Sequence, residues 1–200
     1  MSKLICGVGI NDLPRGSISS DRRAYHFYDA WRQTLNRCYV SDNKNYTDVA
    51  VCDAWLVLSN FKEWYDQQYY VEGWHLDKDI LVPKNRIYSP ETCRFVPKEV
   101  NSLLTGYNKS KRSEAIGVDF LKSKYRARVT TYKESGKHLG YFDNELEAHN
   151  AYRVAKSDHI KDVVTQLAID HPKLDPLISE ALLVRAEKLL DFNLKYEDFM

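Results

Sequence analysis

The chain has 200 residues and 23.4 kDa, with 44% hydrophobic and 28% charged residues, an ordinary globular composition sized for one or two small domains. No apolar run reaches membrane-spanning length, Met1 to Cys6 is too short for a secretory signal, and Cys6, Cys38, Cys52 and Cys93 form no Cys-x-x-Cys pair. A soluble, cytoplasmic protein with reduced core cysteines is expected, rather than one with a disulfide framework or a structural Zn2+ site; its net charge of +1 is too small by itself to announce a nucleic-acid binder.

Cys6-Gly7-Val8-Gly9-Ile10-Asn11-Asp12 lacks a Gly-Lys-Ser/Thr ending and reads as a turn-rich arm rather than a phosphate-cradling loop, and Pro14 to Ser20 as a polar loop. From Tyr25 to Tyr39, the residues Phe27, Trp31, Leu35 and Cys38 recur at helical spacing, with Arg32, Asn36 and Arg37 off the stripe. That pattern predicts an amphipathic helix whose arginines are either solvated or turned to phosphates. Val49, Val51 and Trp55 lead to a second helix, with Ser59 as the expected N-cap and Phe61, Trp64 and Tyr65 as its buried face. These aromatics are read as a hydrophobic platform that holds a downstream hairpin in place.

Trp74, Leu76 and Ile80 predict a strand that charge enters at Asp77, Lys78 and Asp79. Pro83, Asn85, Ser89 and Pro90 supply loop chemistry, and Phe95 and Val96 restart an extended segment. Pro97 suits the first turn of a helix on which Val100, Leu103 and Leu104 share a face, one residue round from Asn101. An Asp from a strand end and an Asn from a helix can together hold one hard divalent cation, Mg2+ or Mn2+, able to neutralise charge on a phosphate under attack; the plainer alternative is that both residues cap and tie a turn.

Asp77-Lys78-Asp79, then Pro90-Glu91-Thr92-Cys93-Arg94-Phe95-Val96, then Asn101, resemble the HNH, or ββα-metal, motif of phage and homing endonucleases. Cys52, Trp55, Phe61 and Trp64 extend the resemblance upstream. It implies Asp77 and Asn101 as the metal ligands. Lys78 stands where the family has its general-base His, and Thr92 where it has the Asn that fastens the loop. In that reading Lys78 holds the scissile phosphate, and His75, Asp79 and Glu91 are the candidates for orienting or activating water. A phage-encoded enzyme of this kind would work in the host cytoplasm.

Residues 107 to 140 carry nine Lys or Arg against three acids, net +6, while residues 141 to 200 are at −5 and the first 106 are balanced. A basic segment of this kind is the footprint of a surface that faces phosphates. After a basic linker, Tyr107 to Ser113, the residues Val118, Phe120, Tyr125, Ala127, Val129, Leu139 and Tyr141 fall into short extended segments, the rhythm of a three-stranded antiparallel sheet. Arg126 and Arg128 share one face of the middle strand; Tyr125, Ala127 and Val129 share the other. A helix follows Asn144, with Glu145 and Glu147 at its positive end and Ala148, Ala151, Tyr152 and Ala155 along it. From Gly117-Val118 through Ala155, the stretch resembles the Apetala-type, or ethylene-response-factor, DNA-binding domain. The resemblance implies that the sheet lies in the major groove of double-stranded DNA, with Arg126 and Arg128 reading bases or phosphates and Lys124 and Lys137 on the backbone. Tyr125 and, in the hairpin, Arg94 complete the expected DNA contacts; a solvated basic sheet face is the alternative.

The remainder is read as acidic amphipathic helices broken near Pro172 and Pro176, either packing back on the sheet domain or forming a dimer, so that monomer and homodimer both stay open. No Ser-His-Asp arrangement in motif context suggests other hydrolytic chemistry. The expected fold is α+β: a ββα-metal HNH core with N-terminal helices (1–106), a three-stranded antiparallel sheet packed on a helix (107–157), and a C-terminal helical extension (158–200). The expected function is a DNA-binding HNH endonuclease that nicks or cuts duplex DNA, or else a DNA-binding protein that has lost cleavage.

Overall fold

The computed structural model describes residues 4–14, 16, 25–104, 115–132 and 134–195; the expected linker at 107 to 113 and most of the stretch from 14 to 20 lie outside them. The chain is α+β and divides into two compact units, Met1–Val96 and Pro97–Met200. The division falls ahead of the helix expected to complete the first domain, not behind it. No helix among the described residues is long and apolar enough to cross a membrane.

In the first unit, helix α1 (His26–Tyr39) buries the predicted stripe of Phe27, Trp31 and Leu35. The N-terminal arm turns back on itself through an Ile5 to Gly9 bridge and lies flat on that helix. A Cβ at Gly9 would stand 2.4 Å from Leu35 Cδ1, so only glycine permits the approach. Helix α2 (Leu58–Asp66) begins one residue before Ser59, which is therefore not its cap. Asp12 does the capping from 47 residues away: its carboxylate accepts the Ser59 N–H at 3.0 Å and hydroxyl at 2.6 Å.

Trp55, Phe61 and Trp64 pack as the expected platform, with ring centroids 4.6 to 5.6 Å apart. The hairpin rests on it: strand β2 (His75–Asp77) pairs antiparallel with β4 (Arg94–Val96), and the Phe95 ring stacks on Trp64 at 5.8 Å. Two further strands, β1 (Ala50–Val51) and β3 (Ile87–Tyr88), form a short parallel pair that anchors the far end of the loop.

The second unit opens with α3 (Lys98–Leu104) and continues with the predicted sheet, β5 (Val118–Leu121), β6 (Lys124–Val129) and β7 (Lys137–Phe142), in that spatial order. A two-residue turn joins β5 to β6, with Lys122 and Ser123 both at positive φ, which gives the twist a tight hairpin needs. Helix α4 (Glu145–Asp170) starts where expected, its first turn capped by Asn144, whose side chain accepts the Glu147 N–H at 2.9 Å. It runs straight past residue 157, the position read as a boundary. Val118, Ala127 and Ala148 form the core between sheet and helix. Gly117 lets the Tyr152 ring approach the backbone, since a Cβ there would lie 2.1 Å from the ring.

Helix α5 (Pro176–Leu190) comes next, with Asp175 as N-cap and Pro176 in its first turn. It packs on α4 through Ile178, Leu182, Ala186 and Leu189. Arg153 of α4 is buried, yet its guanidinium donates to the carbonyls of Lys188, Leu189, Asp191 and Leu194 at 2.7 to 3.1 Å. A positive charge thus closes the negative end of α5.

Candidate functional site

The hairpin turns sharply after β2. Asp77 is buried at 8% exposure, and its carboxylate accepts the Asp79 N–H at 2.7 Å. Burial pushes this carboxyl above its ordinary value, an effect partly offset by that backbone hydrogen bond. Lys78 turns into its own loop rather than outward: its ammonium donates at 2.6 Å both to Asp79 and to the Asn85 carbonyl, and only 11% of its side chain is exposed. Lys78, the residue expected to hold a phosphate, is thus hydrogen-bonded within its own loop.

Asn85 fastens the loop and contacts Thr92. Its amide donates to the carbonyls of Lys78 (2.9 Å) and Ile87 (2.7 Å) and to the Thr92 hydroxyl (3.0 Å), and its oxygen accepts the Ile87 N–H. Glu91 lies on the exposed turn beyond, its carboxyl held below the ordinary value by the Ser89 hydroxyl. Arg94, expected on DNA, donates to the carbonyls of Pro90 and Cys93.

His75 is exposed where Asp77 is buried, although the two share strand parity. It opens onto a polar cleft of about 180 Å³ that His26, Asp29, Arg37 and Tyr70 also line. Those α1 residues were legible only as a polar helix face, because nothing in their spacing announces a cleft. Asn101 lies on α3 in the second unit, half-buried, its N–H on the Pro97 carbonyl. The metal pair implied by the resemblance is thus divided between the two units.

The cysteines are free thiols, and burial pushes Cys38 up to about 11 and Cys93 to about 12.

On the sheet, the predicted alternation holds. Asp119, Arg126 and Tyr141 stand in register across the three strands on the face turned away from α4, and Arg128 and His138 pair beside them. Asp119 takes Arg126 through two hydrogen bonds, at 2.8 and 2.7 Å, and Arg128 through one at 2.7 Å. The guanidinium beside it holds the Asp119 carboxyl below its usual value. Arg128 keeps 47% of its side chain exposed, Tyr141 is 55% exposed, and the His138 and Tyr141 rings sit 4.8 Å apart.

Three further residues expected on DNA flank this face. Tyr125 faces the helix, packing on Phe120 and the Val118 core. Lys137, exposed at the start of β7, pairs with Val129 after a bulge beyond Ala127 shifts the register. Lys124 is exposed and ion-paired with Asp143.

No family model, curated protein or solved structure matches this chain. Function is therefore argued from these residues and their chemistry.

Proposed function

We propose that the protein binds double-stranded DNA through the outer face of the β5–β7 sheet. One observation carries this reading: two arginines and two ring side chains stand together on an exposed sheet face in the most basic part of the chain. Arg126 commits Nε and one terminal nitrogen to Asp119 and lies beside the Tyr141 hydroxyl, whereas Arg128 commits only one nitrogen. Such forks suit guanine edges or phosphate oxygens, and a carboxylate that fixes their direction beforehand reduces the ordering cost of binding. The test is fluorescence anisotropy with labelled duplexes over a range of salt. Affinity should fall steeply as salt rises, and Arg126→Ala and Arg128→Ala should each flatten the log–log slope by about 1 if they meet phosphates, or relax preference at one base pair if they read an edge. Salt-insensitive binding, or variants that bind as wild type does, would refute the reading.

The second reading is cleavage by an HNH endonuclease of the phage homing type, which the hairpin favours: a buried carboxylate at the end of β2, beside a loop clamped by an asparagine. The donors fit a magnesium-like ion only in part. Asp77 and Asn101 offer hard oxygens, and such an ion commonly takes one or two carboxylates, with substrate phosphate and water completing its shell. Among the described residues, no three of His, Cys, Asp and Glu gather as a ligand set. Bound by Asp77, the ion would neutralise charge on the scissile phosphate. His75 is the hairpin's imidazole and its candidate base, since Lys78 holds the loop. Nicking of supercoiled plasmid carrying DNA from the source genome, with Mg2+, Mn2+ or chelator, tests this reading. Loss of nicking in Asp77→Ala and Asn101→Ala, with duplex binding retained, supports it; no strand breaks under any metal leaves DNA binding alone.

A further inference from the structure

A second feature of the Pro97–Met200 unit lies apart from the arginine face. Between α3, the residues after β6 and the middle of α4 is a cavity of about 270 Å³ lined by Ser102, Thr130, Thr131, Tyr132, Lys156 and His159, among others. Lys156 is only 5% exposed. Among the described residues no hydrogen bond or ion pair holds its ammonium. Burial lowers it to about 8.

The neighbouring cation on the same helix makes this unusual. Arg153, one turn earlier and equally buried, is saturated by four carbonyls. Long cationic side chains commonly lay their stems along apolar surface with the head in water; here the largely buried Lys156 lines a half-open cavity.

Ring and hydroxyl contacts tie the walls together. The Tyr132 ring stacks on His159 at 5.4 Å, the Thr130 hydroxyl accepts the Gly136 N–H, and the Thr131 hydroxyl accepts the Glu134 N–H. Glu99 and Lys98 line the cavity from α3, and His159, at 6% exposure, follows Lys156 on the same face of α4. The volume lies just under the range of about 300–1,000 Å³ common for small-molecule sites. A phosphate within a duplex is flanked by sugars that could not follow it into so small a space.

We propose that this cavity binds a small phosphate-bearing molecule, with the Lys156 ammonium on the phosphate oxygens and His159 and Tyr132 as the wall beside it. The site is separate from DNA binding and does not depend on it.

The test uses the full chain at pH 7, with inorganic phosphate as probe against chloride at equal ionic strength, read by thermal melting and by calorimetric titration. Phosphate should raise the melting temperature saturably. Lys156→Met should melt higher than wild type without ligand, because the uncompensated charge is gone, and should bind phosphate more than about tenfold more weakly. Lys156→Gln serves as the second charge-free variant if Lys156→Met does not fold. No saturable effect of phosphate, or an equal effect in the charge-free variant, overturns the proposal and leaves a water-filled cavity. Loss of phosphate binding when the protein is saturated with duplex DNA overturns it too, by assigning the ammonium to the DNA backbone. Unchanged duplex binding by the variant supports two separate sites.

Discussion

The hairpin loop of the first unit and the outer sheet face of the second are both rich in charge, and they use it in opposite ways. In the loop, Lys78, Asp79, Asn85 and Thr92 are hydrogen-bonded among themselves and to the backbone between them. On the sheet, one carboxylate serves two guanidiniums, and cationic surface remains over. Charge that is consumed locally builds a shape; charge left in excess on a fixed scaffold recruits a partner. A residue that matches a motif can belong to either kind, and its hydrogen bonds decide which.

Asn85→Ala strikes the closed network hardest. It removes the two N–H donors shared among three acceptors and one accepted bond, so a loss of about 3 kcal/mol in chemical denaturation is expected. A loss under about 1 kcal/mol would show that the loop is held by the β1–β3 pairing instead.

Arg126→Ala should do the reverse, costing about 1–3 kcal/mol of duplex affinity while hardly moving the melt, since a partly exposed ion pair contributes little to stability. Asp119→Asn removes the shared carboxylate. Binding to unrelated duplexes should tighten by roughly threefold as one negative charge goes, while discrimination between sequences falls. Competition anisotropy separates the two effects.

Acid distinguishes the regions by sign. Asp77 is raised above 3.8 in the fold, so between 3.8 and its raised value the native state holds the extra proton. Its contribution to stability therefore grows as pH falls through that window. Asp119 is lowered, so its contribution is intact above 3.8 and is lost as pH falls from there toward its own value. Asp77→Asn should erase the first trend and Asp119→Asn the second, in melts recorded from pH 7 to pH 2. The smallest expected effect is at the β5–β6 turn. Replacing Lys122-Ser123 by Asn-Gly should stabilise the sheet by up to about 1 kcal/mol, by relieving two side chains at positive φ.

Elements with a strong period or a clear break were legible in the sequence: the α1 stripe, the alternating strands from Val118 to Phe142, the helix start after Asn144 and the break at Pro176. The Asp119–Arg126 pair was within reach as well. Once Lys122-Ser123 is taken as a two-residue turn, counting outward sets those two residues opposite each other. What stayed hidden has no period. The Asn85 clamp joins loop residues by side-chain geometry, the Asp12 cap spans 47 residues, and β1 and β3 are two residues each, too short to leave a pattern. Helix α4 conceals Lys156 for a related reason. It is covered on several sides, so polar residues such as Ser157 and His159 are buried along with apolar ones and no single face stands out.

Arg153 also bears on when the second unit can form during synthesis. Its four acceptors lie 35 to 41 residues downstream, so in a nascent chain that has completed α4 the guanidinium still donates to water rather than to those carbonyls. The full set of Arg153 hydrogen bonds can form only once Leu194 has been synthesised. Until then the apolar side of α4 is exposed to other nascent chains, a window in which chaperone binding should be strongest.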